Sequence, residues 1–308
     1  MDKILITGVN GFVGAALAGA LCSQKGLKIT GLDRDKTLRG GQACSRVTYQ
    51  CADLGNNSAI ETITNCEPDV IIHLAGLLTK SDDTPSHLQQ MDANVVGTLH
   101  VLEAARANRC KVVFASTGLV YGDQAGPFTE DMACKPIDFY GYSKFAAEEL
   151  IRLFSRKYGC AHAILRAAVL YGPGQSGPMF IPSIIKALLN GEAFAMTKGE
   201  QTRDFVYIDD FTAALTLMAT SRHEGTYNVG SAEAVTMKET AELVQKIIQT
   251  QGLVNAGAIP YRPNESWQYA LCPDKLMKQT GWKPTVTLRE GIKKTIDHQR
   301  IRSQKKAG

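Results

Sequence analysis

The chain has 308 residues, 44% hydrophobic and 21% charged, with a formal net charge of +4. That length supports one large or two modest domains with ample core. The small charge and the lack of a basic block before the tail (Arg300, Arg302, Lys305, Lys306) exclude nucleic acid as an expected partner. With no run of 18 apolar residues, no membrane span is expected either.

The first apolar run, Lys3–Thr7, leads into Thr7-Gly8-Val9-Asn10-Gly11-Phe12-Val13-Gly14, and a helical pattern follows over Ala15–Cys22. Three glycines between a strand and a helix suit a pyrophosphate. Side chains at Gly8 or Gly11 would block its approach to the backbone, and one at Gly14 would push the helix off the sheet. The helix N-terminus adds free N–H groups and partial positive charge. A glycine-rich turn in another α/β protein would share these letters, so context decides. The next run, Lys28–Leu32, ends in Asp33, near the spacing of about 20 residues expected for an adenosine-ribose acid. A carboxylate there accepts the 2′-hydroxyl and repels a 2′-phosphate, which predicts NAD over NADP. Arg34 beside it keeps NADP open, because a guanidinium can pair with phosphate.

Further strand-like runs cover Val47–Gln50, Val70–Leu74, Lys111–Ala115 and Ala163–Leu165. Helical patterns cover Ser58–Asn65, Leu88–Ala107 and Tyr142–Lys157. This alternation predicts an α/β fold with a Rossmann-type doubly wound parallel sheet. Ligands then lie at the carboxyl ends of the strands, beside Asp53-Leu54, Ala75-Gly76, Ser116-Thr117 and Arg166 onward. Beyond residue 167 the expected elements are helices Ile181–Leu189 and Phe211–Met218, the latter capped by Asp209 or Asp210. A strand Thr226–Val229 follows, then helix Met237–Gln249 capped by Thr236 with Glu239, and late helices Pro273–Thr280 and Leu288–Gln299. The expected domains are 1–167, with a return segment at about 203–230, for NAD, and a smaller α/β domain of 168–202 and 231–308 for substrate. Eight scattered cysteines, Cys44 among them, form no C-x-x-C pair. With a strand starting almost at Met1, they read as reduced thiols of a cytoplasmic protein. The six histidines show no metal-ligand spacing, and His73 reads as a core residue.

Tyr140 and Lys144 share one face of a helix. A phenol with a pKa near 10 needs a nearby cation to act as a base at neutral pH; Lys144 and the nicotinamide ring of NAD are the expected ones. Lys144 also reaches the nicotinamide ribose. A hydroxyl at Ser116-Thr117 would orient the reacting oxygen, or simply end a strand.

These stretches, with His73–Gly76, Ser116–Gly122, Tyr140–Lys144, Arg203–Asp210 and Gly281–Pro284, resemble the extended short-chain dehydrogenase/reductases. The narrower resemblance is to the NAD-dependent epimerase/dehydratase group acting on nucleotide sugars. It implies a catalytic set of Thr117, Tyr140 and Lys144. It implies that Asn10, Phe12 and Val13 serve the pyrophosphate loop, that Asp53 and Leu54 flank the adenine, and that Leu74, Ala75 and Gly76 line the cofactor. It also implies that Asn94 lies near the substrate, that Arg203 and Arg262 clamp the diphosphate, and that the chain pairs as a homodimer through Leu88–Ala107 and Tyr142–Lys157. Gly118 and Leu119 stand where dehydratases and decarboxylases of the group carry an acid, which sets those reactions aside. Val169, Met196 and Asn264-Glu265 replace the usual Asn, aromatic and Gly-Asp of the nucleotide handle.

The expected function is an NAD-dependent nucleotide-sugar epimerase, at C4, working through a transient keto sugar. The alternative is an NAD(P)H-dependent reductase of a 4-keto nucleotide sugar. A non-catalytic NAD-sensing regulator stands further off, because such proteins tend to lose the tyrosine or lysine.

Overall fold

A computed structural model describes residues 3–39, 46–79, 83–262 and 265–307. Cys44, Asn264 and the side chains of Lys305 and Lys306 lie outside what is described. Two compact units emerge: residues 1–122, 130–166 and 212–227 form the first, and residues 123–129, 167–211 and 228–308 the second.

The first unit starts with β1 (Lys3–Thr7), α1 (Phe12–Cys22), β2 (Lys28–Asp33), β3 (Val47–Cys51), α2 (Ser58–Thr64) and β4 (Val70–His73). Then come α3 (Thr84–Met91), a π-helical turn (Asp92–Val96), α4 (Gly97–Asn108), β5 (Lys111–Thr117), a 3-10 turn (Gly118–Tyr121), α5 (Phe139–Tyr158) and β6 (His162–Ala167). The sheet is seven-stranded and parallel, in the order β10-β6-β5-β4-β1-β2-β3, where β10 is Gly225–Val229. All four residues of β4 are buried, as befits a parallel strand covered on both faces. Strand order reverses beside β1, with β2 on one side and β4 on the other. The glycine turn after β1 therefore sits at the switch point, where such sheets bind ligands. Leu5, Ile71, Val112 and Phe114 fill the core against Ile63, Val101, Leu102, Ala147 and Ile151 from α2, α4 and α5.

In the second unit, β9 (Thr202–Tyr207) is the centre of a four-stranded sheet. It pairs antiparallel with β11 (Ala234–Thr236) and parallel with β13 (Gln268–Tyr269) and β7 (Val169–Tyr171). β8 (Phe194–Met196) pairs with β12 (Val254–Ala256). Helices α6 (Phe180–Leu189), α8 (Met237–Ile248), α9 (Asp274–Thr280) and α10 (Leu288–Ala307) accompany them. Thr236 and Glu239 form the expected capping box on α8.

Three local expectations change. The helix expected over Leu88–Ala107 is broken by the π turn, which carries the buried Asn94. Arg203 starts no return to the large sheet: β9 belongs to the second sheet, and only α7 (Ile208–Thr220) and β10 lead back. Asp209 and Asp210 lie inside the first turn of α7 rather than capping it. Asp210 instead accepts from Thr285 N and Oγ1 and from Val286 N, while its carbonyl accepts the Trp282 indole N–H.

Candidate active site

The β1–α1 turn works as a close-packed cradle. Gly8 has φ +70°, and a methyl there would stand 2.7 Å from Ala75 N. A methyl on Gly14 would stand 2.2 Å from Gly8 O. So Gly14 is needed where α1 closes on the Gly8–Val9 backbone of the turn. Gly8 is needed for its backbone conformation and for the approach of the β4 loop. The cradle opens into a cavity of about 270 Å³ lined by Gly8, Gly11, Asp33, Asp53, Leu54 and the segment Leu74–Leu77, among others. Phe12 and Val13 open α1 behind the lining. Asp33 Oδ2 accepts from Asn10 N at 3.0 Å and Oδ1 from Arg34 N at 2.8 Å, which fixes the carboxylate at the end of β2. Asp53 Oδ1 accepts from Gly55 N at 3.0 Å. The Asn10 side chain turns toward the loop after β2: Nδ2 donates to Asp35 Oδ2 and to Thr37 O, and Oδ1 accepts from Arg39 N. A glycine cradle, a helix N-terminus whose first turn carries no acid, and a fixed acid on β2 fit a dinucleotide.

Behind the cavity, His73 is fully buried and neutral, its pKa pushed down to about 3 by burial and by the nearby Lys144 charge. Its tautomer follows from its neighbours. The Thr98 hydroxyl donates to Asn94 O at 2.6 Å, so it accepts from His73 Nε2–H at 3.0 Å. Thr7 Oγ1 accepts from Leu74 N and Ala75 N, and its proton goes to His73 Nδ1 at 2.7 Å. Asn94 accepts from Leu77 N and donates to Leu77 O and to Ser143 Oγ. Both of its amide protons are used, so Asn94 holds the β4 loop to α5.

Asp138 caps α5 by accepting from Gly141 N at 2.6 Å. Gly141 is needed there, because a methyl would stand 2.8 Å from Leu119 O. The first turn of α5, with Tyr140, thus packs on the turn that follows Thr117. Ser143 donates to Tyr140 O at 2.8 Å. One turn on, the buried Lys144 ammonium lies 4.0 Å from the Phe114 ring centroid and 3.8 Å from where a methyl on Gly76 would stand. Tyr140 and Lys144 are thereby joined to the cavity wall through residues of one unit. Of the two hydroxyls that end β5, Ser116 donates to the buried Glu148 at 2.6 Å. Thr117, also buried, accepts from Leu119 N and points to the other side of the strand from Ser116.

The electrostatics differ from the expectation in one respect. Burial, with the Asp138 charge, pushes the Tyr140 phenol up to about 12, because the phenolate loses its hydration on burial and faces a like charge. Burial also pulls Lys144 down to about 7, against the pull of Glu148. Lys144 alone therefore does not ready the base, and a second positive charge is required. The Lys144 ammonium costs stability in full below pH 7, and that cost fades as pH rises from about 7 toward the unfolded value of 10.5. Lys144→Met is therefore expected to melt roughly 5 °C above wild type at pH 6, with the gain shrinking by pH 10. Thermal scans across that range check it.

In the second unit, Arg203 makes a 2.5 Å ion pair with Glu265 and donates to Ser266 O and Thr202 O. To clamp a diphosphate it would have to release Glu265. Arg262 is exposed. Met196 is buried beneath Gly199, where a methyl would stand 2.7 Å from Met196 Cε, so it is core rather than a stacking surface. Among the described residues no group of three or more His, Cys, Asp or Glu could hold a metal, and no helix is long and apolar enough to cross a membrane.

A parallel sheet whose switch point carries this cradle, with Tyr140 and Lys144 on the neighbouring helix, defines a dinucleotide-dependent enzyme of the extended short-chain dehydrogenase/reductase class. The profile of the NAD dependent epimerase/dehydratase family matches residues 4–230, and the chain belongs to that family. It is 32% identical over 303 residues to a putative UDP-glucose 4-epimerase of Methanocaldococcus jannaschii, covering 96% of this chain and 97% of that one. The structure of UDP-glucose 4-epimerase from Thermotoga maritima with UDP-glucose superposes with a TM-score of 0.91 at 26% identity, covering 98% and 99%. That of the Thermus thermophilus UDP-glucose 4-epimerase with NAD gives 0.89 at 28% identity, covering 97% and 99%.

Proposed function

We propose that this chain is an NAD-dependent UDP-sugar 4-epimerase in which Tyr140 is the acid/base, Lys144 its electrostatic partner and Thr117 the group that orients the reacting hydroxyl. The observation that carries the reading is the placement of the Lys144 ammonium beside Gly76, on the wall of the cavity formed by the glycine cradle and Asp33. NAD held by the Gly8–Gly14 cradle and Asp33 would supply a reversible hydride acceptor, and its cationic ring would be the second positive charge Tyr140 needs. Tyr140 takes the C4 hydroxyl proton as the C4 hydride leaves, giving a 4-keto sugar. After the sugar turns, Tyr140 returns the proton to the oxygen as hydride comes back on the other face. Gly118, where a dehydratase would place an acid, leaves room for the turn. Arg262 serves the diphosphate, a role that an exposed guanidinium can take without breaking an ion pair.

Denaturing the purified protein and counting the released dinucleotide tests the cofactor cycle. Near-stoichiometric NAD is expected. An empty protein that consumes added NADH or NADPH would point to the reductase instead.

A homodimer through Leu88–Ala107 (the end of α3, the π turn and α4) and Tyr142–Lys157 of α5 is part of the proposal. Leu88 on α3 and Phe139, Tyr142, Leu153 and Tyr158 on α5 are large apolar side chains left exposed. Leu88→Glu with Leu153→Glu is expected to halve the mass seen by light scattering; an unchanged mass would reject this face. Seven described cysteines are thiols rather than disulfides, and the cytoplasm, a reducing compartment, is part of the proposal.

A further inference from the structure

The cavity rim beside Asp33 carries two arginines, Arg34 and Arg39, and a second acid, Asp35. An arginine near the ribose acid is the usual means of accepting a 2′-phosphate, so what holds these side chains decides which dinucleotide enters. Arg39 is held firmly. Its Nε lies 2.7 Å from Asp35 Oδ2, and its Nη2 donates to Asp35 Oδ1 at 3.1 Å. Arg39 is exposed and Asp35 half-buried, but they form a two-point fork, the geometry in which surface pairs do persist. Asp35 is in turn anchored. Its Oδ2 accepts from Asn10 Nδ2 at 3.1 Å, and its carbonyl accepts from the Tyr49 hydroxyl at 2.5 Å. Asn10 also accepts from Arg39 N at 2.7 Å, so both ends of the loop are tied to the glycine turn.

We propose that Asp35 is a specificity-determining residue for the dinucleotide: by holding the Arg39 guanidinium in a fork, it withholds that cation from a ribose 2′-phosphate and so favours NAD over NADP. Asp33 acts by contact and repulsion; Asp35 acts by keeping a neighbour occupied. Asn10 fixes the geometry from within the glycine turn. The inference rests on reading the first-unit cavity as a dinucleotide site, but not on the epimerase reaction.

The test uses the full-length protein stripped of its bound dinucleotide, re-equilibrated with equal NAD and NADP, freed of excess and denatured, with the released dinucleotides separated and counted. Asp35→Asn keeps the shape but weakens the hold on Arg39. Its NADP-to-NAD ratio is expected to rise about tenfold over wild type, the yield of one charge-assisted contact. Adding Arg39→Ala is expected to cancel that rise, because the freed cation is its source. An unchanged ratio in Asp35→Asn, or a rise that survives Arg39→Ala, overturns the proposal; the latter would mean that only the lost negative charge mattered. If Asp35→Asn does not fold, Arg39→Ala alone decides. An unchanged ratio is expected, and a fall in the NADP share would show Arg39 already serving the phosphate. A wild-type protein that releases neither dinucleotide fails differently, by rejecting the cavity assignment itself.

Discussion

Tyr140→Phe is expected to lower kcat about 10³-fold while leaving KM and the bound dinucleotide nearly unchanged. Of the two phenols in the first turn of α5, Tyr140 stands one turn before the buried Lys144 whereas Tyr142 is exposed, and the Tyr140 ring without its oxygen fills the same space. The fold around it does not depend on the hydroxyl. Asp138 caps the helix through Gly141 N, and Ser143 binds the Tyr140 carbonyl, so neither contact uses the phenol. The loss should therefore fall on chemistry, and steady-state kinetics beside a dinucleotide count would separate the two. The wild-type rate should rise with pH through the working value of the phenol. In the free chain that value is about 12, so a cation in the loaded site must bring it down before turnover at neutral pH is possible. A Tyr140→Phe protein with full turnover would sink the assignment.

Glu148→Leu is expected to cost roughly 3–5 kcal/mol, the largest stability loss of any single change considered, because it strands a buried cation. Glu148 is fully buried on α5 and accepts from Ser116, twice from Arg166, and from Arg152. Arg166, also buried, donates further to the Tyr121 hydroxyl and to Cys134 Sγ and stacks over the Tyr121 ring. Burial alone would raise the Glu148 carboxyl, but the Arg166 and Ser116 contacts, with Arg152 nearby, hold it below the usual 4.5. Its contribution is thus full above pH 4.5 and is lost as pH falls through the depressed value. Replacing Arg166 as well, with Met, should recover much of the loss, since an apolar pair of similar volume avoids both desolvation costs. Urea unfolding of the single and double variants would read this coupling.

The residues that could be read from the sequence are those whose role is local. Lys3–Thr7, Gly8 to Gly14 and Asp33 lie within one β-α-β stretch, and spacing alone predicts their meeting. Tyr140 and Lys144 share a helix, so one face follows from four residues of separation. What stayed hidden depends on distant partners. The Arg203–Glu265 pair joins residues 62 apart in sequence, and the Asp210 contacts reach 75 and 76 residues onward. No periodicity carries that information. The strand Thr202–Tyr207 is masked by Arg203 and Asp204, charges that break the apolar alternation. Asp204 earns its buried place only through Ser231 and Leu271, and burial still holds its carboxyl up at about 6. The Lys144 shift was equally hidden, because desolvation is a property of packing. The π turn at Asp92–Val96 leaves the apolar pattern almost intact while turning Asn94 inward to bond Leu77 and Ser143.

The most direct measurement of the central proposal uses UDP-glucose carrying deuterium at C4, incubated with the purified protein and no added cofactor. Interconversion to the C4 epimer with the deuterium kept at C4 is expected, because the same hydride leaves and returns inside one site. Loss of the label to solvent, or turnover only when NADH or NADPH is supplied and consumed, would contradict it.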